Sequence, residues 1–251
     1  MIKRWKIIIE YHGGPYAGWQ AQEDQKTVQG EIEAAIKKFC QQDIRIQAAG
    51  RTDTGVHAAG QVAHFDLDYG ERPLTGFDLA KAINAHLKPQ PVVVLEAQET
   101  SSDFHARFMA VNKLYRYRIV NRRAPLAIDQ GLAWHIWKPL DDAAMHNAAQ
   151  VLLGQHDFTT FRDSECQAKT PMRTLDRIAV TRHGDDIFME VEARSFLHHQ
   201  VRNMIGTLVL VGEGKWTKDD LKAAFEARDR TRGGITAPPD GLTLVRIDYP
   251  A

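Results

Sequence analysis

Residues 50–66 read GRTDTGVHAAGQVAHFD and hold Asp53 in a polar, turn-prone knot of Arg51, Thr52, Thr54 and Gly55. An aspartate beside a glycine is most often a turn residue, its short carboxylate bonding the local backbone. Any sharper role depends on its neighbours. Asp53-Thr54-Gly55 spells the DTG of aspartic proteases, but that chemistry needs two carboxylates sharing one proton. The chain has no second DTG or DSG, and Gly50-Arg51-Thr52 is not the apolar strand expected ahead of the triplet. A dimer could supply the partner, although this chain is much larger than a one-lobe protease. The triplet alone is weak evidence for proteolysis.

Other chemical signatures fail sooner. No GxGxxG follows a strand, and GEGKWT puts Trp216 where a phosphate loop needs Ser or Thr after Lys. The eleven histidines offer no HExxH, and His198 and His199 are adjacent, a spacing that on a helix does not converge on one ion. Cys40 and Cys166 are far apart with no CxxC pair, which speaks against a disulfide scaffold and a zinc finger. Neither a metal nor an organic cofactor is expected.

Lys and Arg number 32 against 32 Asp and Glu, so net charge does not point to a polyanionic partner. Its distribution says more. Phe104–Ile128, FHARFMAVNKLYRYRIVNRRAPLAI, carries Arg107, Lys113, Arg116, Arg118, Arg122 and Arg123 without one acid. A basic stripe interleaved with aromatics suits a phosphate backbone and stacked bases. It equally suits a strand whose arginines meet acids elsewhere in the fold.

The elements that must position these residues alternate. KRWKIIIEY reads as a strand, and TVQGEIEAAIKKF as a helix with Val28, Ile32, Ala35, Ile36 and Phe39 on one face and Thr27 as N-cap. IRIQAA and QVAHFDL are short strands flanking Asp53, the second alternating Ala63, Phe65 and Leu67 against Val62, His64 and Asp66. Asp53 is therefore expected on a connection held between strands, where a rigid scaffold fixes a polar side chain. FDLAKAINAHL is helical, PVVVLEA a strand, and NKLYRYRIV a strand with Tyr115, Tyr117 and Ile119 opposite Arg116 and Arg118. DDAAMHNAAQVLLG is a helix capped by Asp141, and RTLDRIAVTRHGDDIFMEVEA a hairpin around His183-Gly184-Asp185. FLHHQVRNMIGTLVLVG and TKDDLKAAFEAR are helices, the latter with a capping box at Thr217; TAPPDGL is a stiff turn before the strand TLVRIDY.

This pattern predicts a mixed α+β protein whose halves, 1–104 with the Asp53 loop and 105–251 with the stripe, pack over one extended, mainly antiparallel sheet and leave a cleft. At 251 residues, 43% hydrophobic and 25% charged, the composition is that of an ordinary globular protein. MIKRWKIIIEYHGG is too charged for a signal peptide, and no stretch approaches the roughly 20 apolar residues of a membrane helix. A cytoplasmic protein is expected.

GRTDTGVHA closely resembles the catalytic motif of the TruA family of tRNA pseudouridine synthases. YHGGPYAGWQ is similar to that family's N-terminal YDGxxFxGWQ, with His12 in place of Asp. DFHARF with KLYRY, then HDFTTF, FLHHQVRNMIGTL and TAPPDGLTLVRIDY, resemble its later blocks in the same order across nearly the whole chain. The resemblance implies conversion of uridine to pseudouridine at positions 38, 39 and 40 of the tRNA anticodon stem-loop, without cofactor, by a homodimer with RNA across both subunits. It makes Asp53 the essential carboxylate and Tyr115 the active-site tyrosine. Arg51 and Arg202 then contact the substrate or help hold Asp53 ionised. A non-catalytic RNA-binding protein using the same basic cleft is the alternative; Asp53→Asn separates the two.

Overall fold

The structure, a computed structural model, describes residues 2–70 and 73–250. In chain order its elements begin with β1 (Ile2–Tyr11), α1 (Val28–Cys40), β2 (Gln47–Ala48), β3 (His57–Asp68), α2 (Gly76–Leu87) and β4 (Val92–Thr100). There follow β5 (Asn112–Asn121), β6 (Trp134–Ile136), α3 (Asp142–Ala149), β7 (Gly154–Asp157), β8 (Met172–Leu175), β9 (Arg177–His183) and β10 (Asp186–Ala193). α4 (Gln200–Gly212), α5 (Lys218–Glu226) and β11 (Leu242–Asp248) complete the order. The chain forms two compact units, Met1–Val111 with Leu244–Ala251, and Asn112–Thr243.

In the first unit the strand order is β4-β1-β3-β11, with β2 on β3. β1 runs antiparallel to both β3 and β4. Trp5, Ile7, Ile9 and Tyr11 of β1 alternate into the core, as the period of a strand requires. β3 departs from simple alternation: Gln61–Phe65 are all buried and exposure returns only at Asp66 and Asp68. A strand with neighbours on both edges and cover on both faces has no polar side to show. Thr27 caps α1 by accepting the Gly30 N–H, and Val28, Ile32, Ala35 and Ile36 are buried beneath it. Burying a valine or isoleucine such as Val28, Ile32 or Ile36 contributes about 1.5–3 kcal/mol each.

In the second unit the order is β5-β10-β9, antiparallel throughout, with β6 parallel to β5. β9 and β10 form the expected hairpin, with Gly184 at φ +60 in its loop. β7 and β8 make a separate two-stranded sheet. The arm expected as one strand from Arg173 is thus two, β8 and β9, divided at Asp176. The Asp141 cap and the reciprocal Thr217–Asp220 capping box form as expected.

α4 begins four residues later than the sequence suggests. Gln200 Oε1 accepts the Leu197 N–H and its own N–H donates to the Leu197 carbonyl, which makes 197–200 a turn. His199 stands at φ +58 ahead of the helix, so His198 and His199 are not helical residues. Among the described residues no helix is long and apolar enough to cross a membrane.

Candidate active site

Asp53 lies half-buried on the connection from β2 to β3. The backbone around it is fixed at many points. Thr52 is buried, with Oγ1 2.8 Å from the Tyr11 hydroxyl at the end of β1. The Thr52 carbonyl accepts the Trp19 N–H at 3.1 Å, and the Gly55 N–H donates to the Tyr16 carbonyl at 3.4 Å. Val56 N–H closes a turn onto the Asp53 carbonyl at 3.1 Å, with Gly55 at φ +80. Gln61 Nε2 donates to the Gly50 carbonyl, and Gly13 N–H donates to His57 Nδ1, each at 3.0 Å.

The wall of this loop is therefore the YHGGPYAGWQ stretch, two sequence blocks meeting in one place. Its glycines are required by contact. A Cβ on Gly13 would stand 2.1 Å from the Val56 carbonyl oxygen; one on Gly18, at φ +91, would stand 2.8 Å from the Thr52 oxygen and 3.2 Å from the Asp53 carbonyl carbon. Burial pushes the Tyr11 hydroxyl up to about 12 despite its bonds to Thr52 and Gln61, so it stays protonated. His12 takes the loop role open to a short carboxylate, its Nδ1 accepting the Gly14 N–H at 3.2 Å. Its ring stands edge-on to His57 at 4.6 Å. Tyr11, Tyr16, Gly18 and Gln61 escaped the residue-by-residue reading; only the proximity of the two blocks reveals them.

Arg51 is exposed, and the expected Arg51–Asp53 pair is not formed. Thr52 between them is buried, its hydroxyl on Tyr11.

In the second unit Tyr115 lies half-buried on β5 opposite Val191, its ring edge-on to Phe196 at 5.2 Å. Tyr117 is a core residue whose hydroxyl donates to the Pro238 carbonyl at 2.8 Å. Arg202, half-buried on α4, donates from Nε to the Ala237 carbonyl at 2.7 Å, and the Ala237 N–H returns a bond to the Arg202 carbonyl. Glu190 and Glu192 both engage Arg177, and Glu190 also Arg116. His199 Nδ1 lies 2.6 Å from Asp163 Oδ2. Burial would raise the Asp163 carboxyl, yet the Glu165 N–H, the His199 ring and the nearby histidine charges hold it below the usual carboxylate range.

The basic stripe divides into two kinds of residue. Arg116 pairs with Glu190 at 2.6 Å, Arg118 with Asp186 at 2.8 Å and Asp129 at 2.9 Å, and Arg122 reaches Asp185 at 3.7 Å. These arginines hold the β5–β10 ladder and its loop. Arg107 and Arg123 are exposed and make no ion pair among the described residues.

This architecture and its aspartate loop belong to a known class of enzyme. The model of the tRNA pseudouridine synthase family matches residues 7–109 and again 148–250, and the chain belongs to that family of isomerases. Curated relatives named tRNA pseudouridine synthase A match over essentially their whole length. That of Caulobacter vibrioides is 57% identical over 99% of this chain and 99% of its own. That of Paramagnetospirillum magneticum is 56% identical over 100% and 96%, and that of Rhodopseudomonas palustris 54% over 99% and 100%. Among solved structures, a chain from a Cbf5–Nop10–Gar1 complex aligns over 97% of this chain and 48% of its own, at 13% identity and a TM-score of 0.42, too remote to bear on function.

Proposed function

We propose that this protein isomerises uridine to pseudouridine at positions 38, 39 and 40 of the tRNA anticodon stem-loop, with Asp53 as the essential carboxylate. The observation that carries the reading is the clamped Asp53 loop: a single carboxylate on a backbone fixed by Thr52, Val56 and the Gly13–Trp19 wall. Such fixing is what a group acting on one base in one geometry requires.

The reaction breaks the N1–C1′ bond, turns the uracil, and joins C5 to C1′. C5 loses a proton and N1 gains one, so no electrons are exchanged with a partner. Asp53 in its ionised form serves attack on the base or ribose, or removal of a ribose proton. Tyr115 offers a ring for the extruded base and a hydroxyl near the C5 proton. The exposed Arg51 serves a phosphate or fills the vacated stack, and Arg202 supports the carboxylate or binds phosphate. Extruding the uridine costs a few kcal/mol, least where pairing is already weak, as near a stem–loop junction. The protein acts in the cytoplasm as a homodimer, with RNA lying across both subunits.

The test is tritium release from transcript labelled at uracil C5, since forming the C5–C1′ bond expels that hydrogen. Wild type releases tritium to water. Asp53→Asn, folded by its thermal transition, still binds tRNA and releases none. Tight binding without release by wild type would make this an RNA-binding relative without the chemistry.

A further inference from the structure

We propose that Arg107 and Phe108 form a rigid platform that stacks one unpaired base of the RNA, with the guanidinium on the adjoining phosphate. This deepens the proposed function and rests on it. With Arg116, Arg118 and Arg122 engaged in ion pairs within their own unit, the stripe's exposed arginines outside those pairs are Arg107 and Arg123, and of these Arg107 stands beside an exposed aromatic.

Residues 104–111 are bound to the first unit at several points. Arg4, paired through two nitrogens with Asp66, also donates to the carbonyls of Ser102 and, at 3.1 Å, Phe104. The Ala106 N–H donates to His64 Nδ1 at 3.2 Å, and its carbonyl accepts the Tyr249 hydroxyl at 2.8 Å. The Val111 N–H donates to the Asp248 carbonyl at 2.9 Å. Between these anchors, His105 Nδ1 accepts the N–H groups of Arg107 and Phe108 at 3.2 and 3.4 Å, and the Met109 N–H closes onto the His105 carbonyl at 3.0 Å.

What this clamped turn presents is apolar and cationic. Phe108 is 68% exposed, beside Met109 at 40% and Val111 at 48%. The Phe108 ring leans on His105 at 4.2 Å, and the Arg107 guanidinium lies 6.0 Å from its centroid. A large aromatic held in water by a fixed backbone loses little freedom when a base covers it. From Phe104 through Val111 the sequence holds one arginine and no acid, which suits the turn to a phosphodiester chain.

The experiment compares wild type with Phe108→Ala, Phe108→Leu, Phe108→Trp and Arg107→Ala, using unmodified tRNA transcript in filter binding and C5 tritium release. Phe108→Ala should weaken binding and raise KM about tenfold with kcat held within about twofold, the pattern of lost uniform binding. Phe108→Trp should restore affinity and Phe108→Leu should not, since bulk without a π-face does not stack. Arg107→Ala should lower the slope of log affinity against log salt by about one. Unchanged affinity in Phe108→Ala, or rescue by Leu, overturns the platform. So does conversion of a dimer to monomer by Phe108→Ala in sedimentation, which would make a second copy the occupant. Wild type that binds transcript but releases no tritium would defeat the proposed activity, while the filter-binding comparison still decides the platform.

Discussion

Replacing Gly18 by alanine should disable the reaction while leaving tRNA binding intact. At φ +91 an alanine is strained by about 1–2 kcal/mol. The added Cβ would stand 2.8 Å from the Thr52 oxygen, where carbon–oxygen contacts normally begin near ~3.3 Å. The nearest obstacles are backbone atoms of Thr52, Asp53 and Thr54, so relief requires the loop to shift by roughly 0.5 Å. A displacement of about 1 Å in a reacting group can cost on the order of 10²-fold. Gly18→Ala should therefore lower kcat for tritium release by about ten- to a hundredfold, with the Kd for transcript within about twofold. Strain and displacement together should cost ~2 kcal/mol, a fall of about 4–8 °C in the thermal midpoint. Gly214→Ala is the matched control. Its φ is +70 and nothing lies within 4 Å of its added Cβ, so it carries the backbone strain without touching the loop. It should lose stability and keep its rate. A Gly18→Ala protein that turns over like wild type at a temperature where both are folded would refute the claim that the reaction depends on Gly18 securing the Asp53 loop.

Acid should weaken the first unit through His64, whose pKa burial and the charges of His105 and Arg4 lower to about 4. Below pH 6.5 the unfolded chain binds a proton that the folded chain refuses until about pH 4. Stability should then fall with pH across that window, by at most about 1.4 kcal/mol per unit. His64→Gln should flatten that part of a denaturation profile, at lower overall stability; an unchanged slope would remove His64 from the account. Arg118→Gln should lower the thermal midpoint by roughly 2–4 °C through its two half-buried carboxylate partners. The salt dependence of tRNA binding should not move, and a slope reduced by about one would return Arg118 to the RNA surface.

Local signals proved legible where local chemistry decides the structure. Thr27, Asp141 and Thr217 cap helices because a side-chain oxygen three residues back satisfies an N–H whatever the rest of the fold does. The β9–β10 hairpin needs only its short loop and alternating strands. The start of α4 is hidden because it turns on a left-handed His199, a conformation that residues with a β-carbon adopt only a few per cent of the time. IRIQAA reads as a full strand but pairs only at Gln47 and Ala48, since pairing depends on what β3 offers. The partners of the stripe were invisible for the same reason: Glu190 lies 74 residues from Arg116, across a ladder whose register no single strand contains. At the site, Asp53 stood out by its turn-prone neighbours and by family resemblance. The Gly18 contact that shapes its loop is a meeting of distant backbones, which composition and periodicity do not encode.

The path of the chain through its first unit bears on how the protein is made. β1, β3 and β4 leave the ribosome early, but the strand beside β3 is β11, more than a hundred residues later in synthesis. Until it arrives, β3 carries an open row of backbone donors and acceptors, an edge prone to wrong pairing. The second unit is one uninterrupted stretch, Asn112–Thr243, and can close while the first still waits. The aspartate loop, anchored to an unfinished sheet, is thus among the last parts to become firm. A nascent chain holds Asp53 and the residues that clamp its loop long before that loop has a fixed shape.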